Sequence, residues 1–519
     1  MPTRTHAAIV CVAIVCSLWL ADLQAAEVVD HPFLGITHIT RAETSPRNIR
    51  MHIVQIDLTV PGIRFELTPP GGSLETVRET TSDFLNREHG QVAINGHFFL
   101  PFPSTSPDAM LIGLAASQGN VYSAFESPIQ SYAIVTDAPT INIDFSNTAS
   151  VVHRDPSFHD GKHVLENVTL WNAVSGSAQI VTNGVKTIPI YRDEQNPTGL
   201  LTPGGPANYS NANSWYELIN ARTAIGLSED NRTLTLFTVD RAAGSEGMSV
   251  GEVADLLIKD YGVYNALNLD GGGSTSLAMA DPISLVGTLV NVSSDNPNGR
   301  SVGSNLAVFA ERDDIPPSTA ASLRPGSNKN GWNNTDVTLT LDATDNLGGR
   351  VKTIRYSAAG AYSVDSKDTG NSASSRLAAE GITKLTYFAE DYGGNVEVPQ
   401  SLTIAIDKTA PVISGIPSHG CALSRSNFEW QQVATIRAAD AVSGLEPGSF
   451  QVHVTSNQIS QTDGSEIVVT PDGADAFKIY HRADRLNAGA GRVYTITATA
   501  RDLASNVATA TALCTVGHN

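Results

Sequence analysis

Residues 264–279 read YNALNLDGGGSTSLAM, an apolar strand that ends in Asn and Asp and gives way to three glycines and two hydroxyls. Leu267 and Leu269 alternate with Asn268 and Asp270, so an extended backbone turns both leucines to one face and both polar side chains to the other. The pattern predicts strands over 267–269 and 275–279. Between them, Gly271, Gly272 and Gly273 would let backbone N–H groups approach an anionic ligand with no Cβ in the way. An Asp-Gly turn closing a plain hairpin accounts for the same letters, so the reading of this turn depends on its surroundings.

Two earlier stretches share a plan. Thr76-Val77-Arg78-Glu79 and Ser249-Val250-Gly251-Glu252 both fit the capping box, in which a hydroxyl and a Glu satisfy orphan N–H groups at a helix start. Apolar positions at helical spacing follow (Val77, Phe84, Leu85; Val253, Leu256, Leu257), and Gly90 and Gly262 are placed to stop the helices. An apolar strand comes next in each, ending in Asn95 or Asn268, and the offset from cap to Asn is the same, 95 − 76 = 19 and 268 − 249 = 19. Two similar helix–strand units delivering Asn95 and Asn268 to one pocket are expected, against the alternative that helix-Gly-strand is simply a common unit.

Beyond Arg312 the pattern changes. Asp336-Val337-Thr338-Leu339-Thr340-Leu341 alternates with period two, as half-buried strands do. Phrases also recur: Ala343-Thr344-Asp345 with Ala438-Ala439-Asp440, and the run from Ala389 to Val396 with that from Ala500 to Val507. Two tandem β-sandwiches explain the repetition, and they resemble the Ig-like repeats of bacterial surface and secreted enzymes. The expected fold class is therefore α+β: a mixed α/β domain with twisted sheets flanked by helices, then two all-β Ig-like sandwiches. The expected boundaries are 1–26, 27–312, 313–409 and 410–519.

The 519 residues exceed what one hydrophobic core supports, and 41% hydrophobic content suits globular domains. A formal charge of −19, with no Lys/Arg cluster, argues against nucleic acid as a partner. Arg4 and His6, an apolar stretch over 7–20 and Leu23-Gln24-Ala25-Ala26 have the form of a secretory signal peptide cleaved after Ala25 or Ala26. No later segment is long and apolar enough for a membrane helix, so a secreted, periplasmic or extracellular location is expected. With Cys11 and Cys16 removed, Cys421 and Cys514 flank the last segment, where a disulfide would staple it.

Four stretches carry polar residues on otherwise apolar strands: 93–99 (AINGHFF), 222–226 (RTAIG), 234–241 (LTLFTVDR) and the turn from Asn268 to Ser274. In this order and spacing, with 299–302 (GRSV) and 305–309 (NLAVF) after them, they resemble the phosphodiester glycosidase family over about residues 92–310. His97 departs from that pattern, standing where the family usually has a small residue. The resemblance implies hydrolysis of a sugar-1-phosphodiester, of the N-acetylglucosamine-1-phosphodiester kind, to sugar and phosphomonoester. Exopolysaccharide or cell-envelope glycans are the expected source of such bonds.

The residues suit that chemistry. Phosphate is a good leaving group whose charge needs neutralising, and Arg222 offers a guanidinium fork for it. N–H donors from Gly271, Gly272 and Gly273 would add preorganised stabilisation. Asp240 and Asp270 supply two carboxylates for activating water or attacking an anomeric carbon. Asn95 and Asn268 would hold sugar hydroxyls or the water. His97, Phe98, Thr223, Ser274 and Arg300 complete the expected substrate-binding set. Structural alternatives stand beside these roles: Arg222 as an ion-pair partner, Asp240 as a cap on the turn before Arg241, and His97 as a packed histidine.

His153, Asp155, His159, Asp160 and His163 are read as an exposed polar loop rather than a metal site. Asp345, Asp391, Asp440 and Asp502 are read as turn formers, with structural calcium the alternative; no cofactor is expected. There is no Gly-x-Ser-x-Gly elbow, no His-Glu-x-x-His and no Gly-Lys-Ser/Thr loop. A non-catalytic carbohydrate- or cell-surface-binding protein and a phosphodiesterase cutting the P–O bond remain alternatives. The Ig-like modules are expected to act as spacers or to bind polysaccharide or a cell surface.

Overall fold

A computed structural model describes residues 26–125, 139–199, 210–211, 216–346, 348–423, 428–459, 465–484 and 491–517. Residues 1–25 of the expected signal peptide lie outside them. The chain divides into two compact units, Met1–Asp313 and Asp314–Asn519.

In the first unit the seven strands that matter for the site are β1 (Ile49–Asp57), β2 (Val92–Asn95), β3 (Arg222–Ser228), β4 (Thr233–Val239), β5 (Val263–Asn268), β6 (Leu277–Ala280) and β7 (Asn305–Phe309). An antiparallel eight-stranded sheet contains β1, β4, β3 and β5 in that spatial order. A five-stranded antiparallel sheet contains β6, β2 and β7 as its centre. The two sheets share one core, with Val54, Ile56, Ile225, Leu236 and Leu267 from the larger meeting Val92, Ile94, Leu277, Leu306 and Val308 from the smaller.

The expected α+β first domain with sheets flanked by helices is overturned. Among the described residues of this unit there are twenty-one strands and two short α-helices, α1 (Thr81–Glu88) and α2 (Val250–Tyr261), so the domain is built from antiparallel β-structure. Ser249 does cap α2 through a capping box with Glu252, and Gly262 ends it in the left-handed conformation at φ 64°. Thr76 does not start a helix. Thr76–Val77 is a strand, and the Thr76 hydroxyl donates to the carbonyl of Gly303 at 2.6 Å. The first helix begins one turn later, where Thr80 accepts from the N–H of Asp83, and ends on His89 rather than Gly90.

The second unit consists of two pairs of sheets, each pair closing on its own core. Val337, Leu339 and Leu341 meet Ile354, Leu385 and Ile404 in the first core. Ile436 and Ile479 meet Ile496 and Val516 in the second. The strand Val337–Thr344 alternates buried and exposed along its length, as its sequence does. The recurring phrases build the same turn twice: Asp391 accepts from the N–H of Asn395 and Asp502 from that of Asn506, both at 2.8 Å. Cys421 and Cys514 are disulfide-bonded across adjacent parallel strands, closing 93 residues.

Candidate active site

The glycine-rich turn is the place where the chain passes from one sheet to the other. β5 belongs to the larger sheet and β6 to the smaller, so residues 269–276 span the edge of the shared core. Leu269 donates its N–H to Thr223 of β3 at 2.9 Å, and Asp270 donates its own to Gly96 just beyond β2 at 3.1 Å. The two sheets thus grip the turn from either side.

Asn95 is the clasp. Its Nδ2 donates to the carbonyl of Asp270 at 2.7 Å, and its Oδ1 accepts from the N–H of Ser276 at 2.9 Å and the hydroxyl of Thr223 at 3.0 Å. Fully buried and with its amide engaged on both sides, it is committed to holding the turn. Asn268 is also buried and donates to Ser177 Oγ at 3.0 Å. Thr223 is fully buried beside Asn95. The paired Asn residues do reach one place, yet they shape the loop from behind.

The three glycines serve close packing. A Cβ on Gly271 would lie 3.0 Å from the carbonyl of Ala221, and one on Gly273 would overlap Nη2 of Arg300 and sit 2.8 Å from Cβ of Asp295. Gly272, at φ 60°, takes the left-handed conformation that favours glycine. The expected cradle of N–H donors is reduced, because Gly272 donates to Ala221 at 2.8 Å, Ser274 to Gly271 at 3.2 Å, and the Gly271 N–H to the Asp270 carboxylate.

The guanidinium facing this bare backbone is that of Arg300. Its Nε donates to Asp295 Oδ2 at 2.8 Å and its Nη1 to Ser274 Oγ at 3.2 Å. Ser274 in turn donates to Asp270, which also lies in the field of Arg300. Burial pushes the Asp270 carboxyl up to about 7, and the Ser274 hydroxyl and the Arg300 charge only partly offset it. Arg222 also lies by the turn, its Cδ 3.9 Å from where a Gly271 Cβ would stand, but its guanidinium points inward. It is buried and donates from Nε to the carbonyl of Met248 at 3.1 Å and from Nη2 to that of Leu218. Burial pushes this guanidinium down to about 10.

Asp240 joins the site from β4. Its Oδ1 accepts from the N–H of Val292 at 3.1 Å and from Asn291 Nδ2 at 3.3 Å, and Asn291 also reaches the carbonyl of Thr275 at the turn's end. Its Oδ2 is buried without a hydrogen-bond partner and stands 4.0 Å from Nη1 of Arg50. Burial pushes the carboxyl up to about 6, against the opposing hydrogen bonds of Val292 and Asn291 and the charge of Arg50.

His97 sits behind the site. It is fully buried, Nδ1 pairs with Ser304 Oγ at 2.8 Å, and Nε2 lies 3.0 Å from both the N–H of Ser175 and the carbonyl of Leu114. Burial lowers its pKa to about 4, and both ring nitrogens are engaged by Ser304, Ser175 and Leu114. Phe98 is half-buried. Arg50, Asn291, Asp295 and Phe102 escaped the sequence reading. Arg50, on β1, is brought to Asp240 by strand pairing across about 190 residues, and no local signal marks it.

Elsewhere, His153 pairs with Glu166 at 2.7 Å, and His163 stacks on Phe158 and faces Asp160 at 3.4 Å. In the second unit Asp407, Asp440 and Asp502 gather with carboxylate oxygens within 4.8 Å of one another. Backbone N–H groups of Val442, Ser443 and Gly444 bind Asp440 as in a turn. No helix among the described residues is long and apolar enough to cross a membrane.

The family model for phosphodiester glycosidases matches residues 89–309. Human N-acetylglucosamine-1-phosphodiester alpha-N-acetylglucosaminidase is 33% identical over 123 residues, which cover 24% of this chain and 21% of that protein. The bovine protein of the same name is 38% identical over 84 residues, covering 16% and 14%. The chain therefore matches about a fifth or less of the length of these curated relatives. The zebrafish catalytic domain, in a structure described as auto-inhibited by its pro-peptide, superposes with a TM-score of 0.37 at 19% identity, over 56% of this chain and 83% of that one.

Proposed function

We propose, from the premise that residues 89–309 form a phosphodiester glycosidase domain, that the first unit hydrolyses a sugar-1-phosphodiester. The observation that carries this reading is the Arg300–Ser274–Asp270 chain laid on a bare-backbone turn within the matched segment. In the reaction, the bond between the anomeric carbon and the phosphate oxygen breaks and its electron pair leaves with the phosphomonoester. The oxygen of water bonds to the sugar, and the proton released is taken up at a carboxylate.

Arg300 is assigned to the phosphate. Asp295 and Ser274 hold it in one orientation, so its charge meets the developing phosphomonoester without reorganising. Asp270 is assigned to proton transfer, since a carboxyl titrating at about 7 exchanges a proton readily near neutral pH. Asp240 is the second carboxyl. Burial raises it as well, to about 6, so both carboxyls exchange protons near neutral pH. Arg222 supports the turn from within and adds positive potential there. We place the protein outside the cytoplasm, on the form of its first 26 residues, and assign the second unit to display or to binding polysaccharide or a cell surface.

The test is hydrolysis in oxygen-18 water of the methyl diesters of N-acetylglucosamine, glucose, mannose and galactose 1-phosphates. Label in the released sugar is expected. Label in the phosphate defeats glycosidic cleavage in favour of P–O cleavage, and inactivity on the whole panel favours a binding protein.

A further inference from the structure

The segment that follows β2 carries an aromatic ring that no motif singled out. Phe102 is 44% exposed and lies against the Arg300 guanidinium, whose Cζ is 4.7 Å from the ring centroid. It also meets Phe99 in a T-shaped contact with centroids 6.1 Å apart, and Arg78 stands over Phe99 at 4.8 Å. Two rings, Phe99 and Phe102, therefore stand between two cations, Arg78 and Arg300. Arg78 also donates from Nη2 to the carbonyl of Pro101 at 2.5 Å and from Nε to that of Asp108 at 3.1 Å, which pins the segment carrying Phe102.

An exposed phenyl ring costs free energy in water, and this one is held in place by neighbours instead of folding into the core. Its position matters more than its exposure. It touches the Arg300 guanidinium that lies against Gly273 of the turn, so a molecule whose phosphate engages Arg300 brings its esterified ring alongside Phe102. The C–H-bearing face of a pyranose is apolar and weakly positive, and it complements the negative face of an aromatic ring.

We infer that Phe102 is the stacking platform for the sugar of the substrate, an inference that rests on the proposed hydrolysis of sugar-1-phosphodiesters. Phe102 then sets sugar affinity, while Arg300 and Asp270 set the rate of bond breaking.

The experiment uses the full chain, with the best methyl diester of the oxygen-18 panel as substrate and the free sugar and inorganic phosphate as competitive inhibitors. Phe102→Ala is expected to raise KM and the inhibition constant of the free sugar at least about tenfold, with kcat within about threefold and phosphate inhibition unchanged. Phe102→Trp is expected to restore both sugar values. A Phe102→Ala protein with wild-type KM and sugar inhibition overturns the platform alone. So does equal weakening of sugar and phosphate inhibition, which would mean the ring acts through Arg300. A wild-type protein inactive on every diester overturns the activity, and the platform with it.

Discussion

Asp270→Asn separates the cost of an ionised carboxyl at this site from its use. Raising the group from the 3.8 of a solvated aspartate to about 7 corresponds to about 4 kcal/mol against the ionised form, which partial exposure at the turn reduces to about 2 kcal/mol. Below pH 4 the carboxyl is protonated in both folded and unfolded chains. As pH rises, the unfolded chain loses its proton first and the folded chain keeps it until about 7, so stability falls through that window and stays lower above it. Asn at 270 does not titrate and still presents an oxygen to Ser274. At pH 8.5 the variant should therefore melt about 3 °C above the wild type, given the size of this unit, whereas at pH 4.5 the two should coincide to within about 1 °C. Thermal scans of both full chains at the two pH values read this directly. Activity should fall about 10³-fold in the same variant, the expected loss for a proton-transfer group. Equal melting temperatures at pH 8.5, or a variant that is stabler at pH 4.5 and not at 8.5, would refute the assignment of a strained carboxylate.

Gly273→Ala places a methyl group where Nη2 of Arg300 lies and within 2.8 Å of Cβ of Asp295; kcat/KM should drop at least about tenfold, and denaturant unfolding should show a loss of about 1–3 kcal/mol, because the Asp295 stem cannot swing aside as the Arg300 head can. Asn95→Ala leaves the Ser276 N–H without its side-chain acceptor and the Asp270 carbonyl without its side-chain donor in a buried site. Denaturant unfolding should show a loss of about 2–4 kcal/mol.

What the sequence revealed tracks how local each determinant is. The alternation around Val337 and the box at Ser249 are satisfied by residues a few positions away, and both were legible. Thr76 offered the same four-residue signal as Ser249, yet its hydroxyl is taken by Gly303, 227 residues away, and the segment pairs as a strand. The fold class was misjudged for a related reason. β2 is buried at all four positions, with one face in the shared core and Ala93 packed with Phe84 of α1 on the other. A strand covered on both faces reads as a continuous apolar run, the mark of sheets sandwiched by helices, even when every pairing is antiparallel. Within the site, the glycine turn between two strands was legible from the local pattern of residues 264–279. Which arginine faces the turn was not, because it is decided by tertiary partners: the Arg222 guanidinium is spent on the carbonyls of Met248 and Leu218, whereas that of Arg300 meets Asp295 and Ser274.

The turn's anchorage in both layers has a mechanical consequence. Asp270 hangs from Gly96 of the smaller sheet while Leu269, one residue earlier, hangs from Thr223 of the larger. A shear of one layer past the other by a single pleat would tear those two bonds apart and scatter Asp270, Ser274 and Arg300 together. The proposed site is thus a rivet through the sandwich, and loss of alignment between its layers would disperse these side chains before any strand melts.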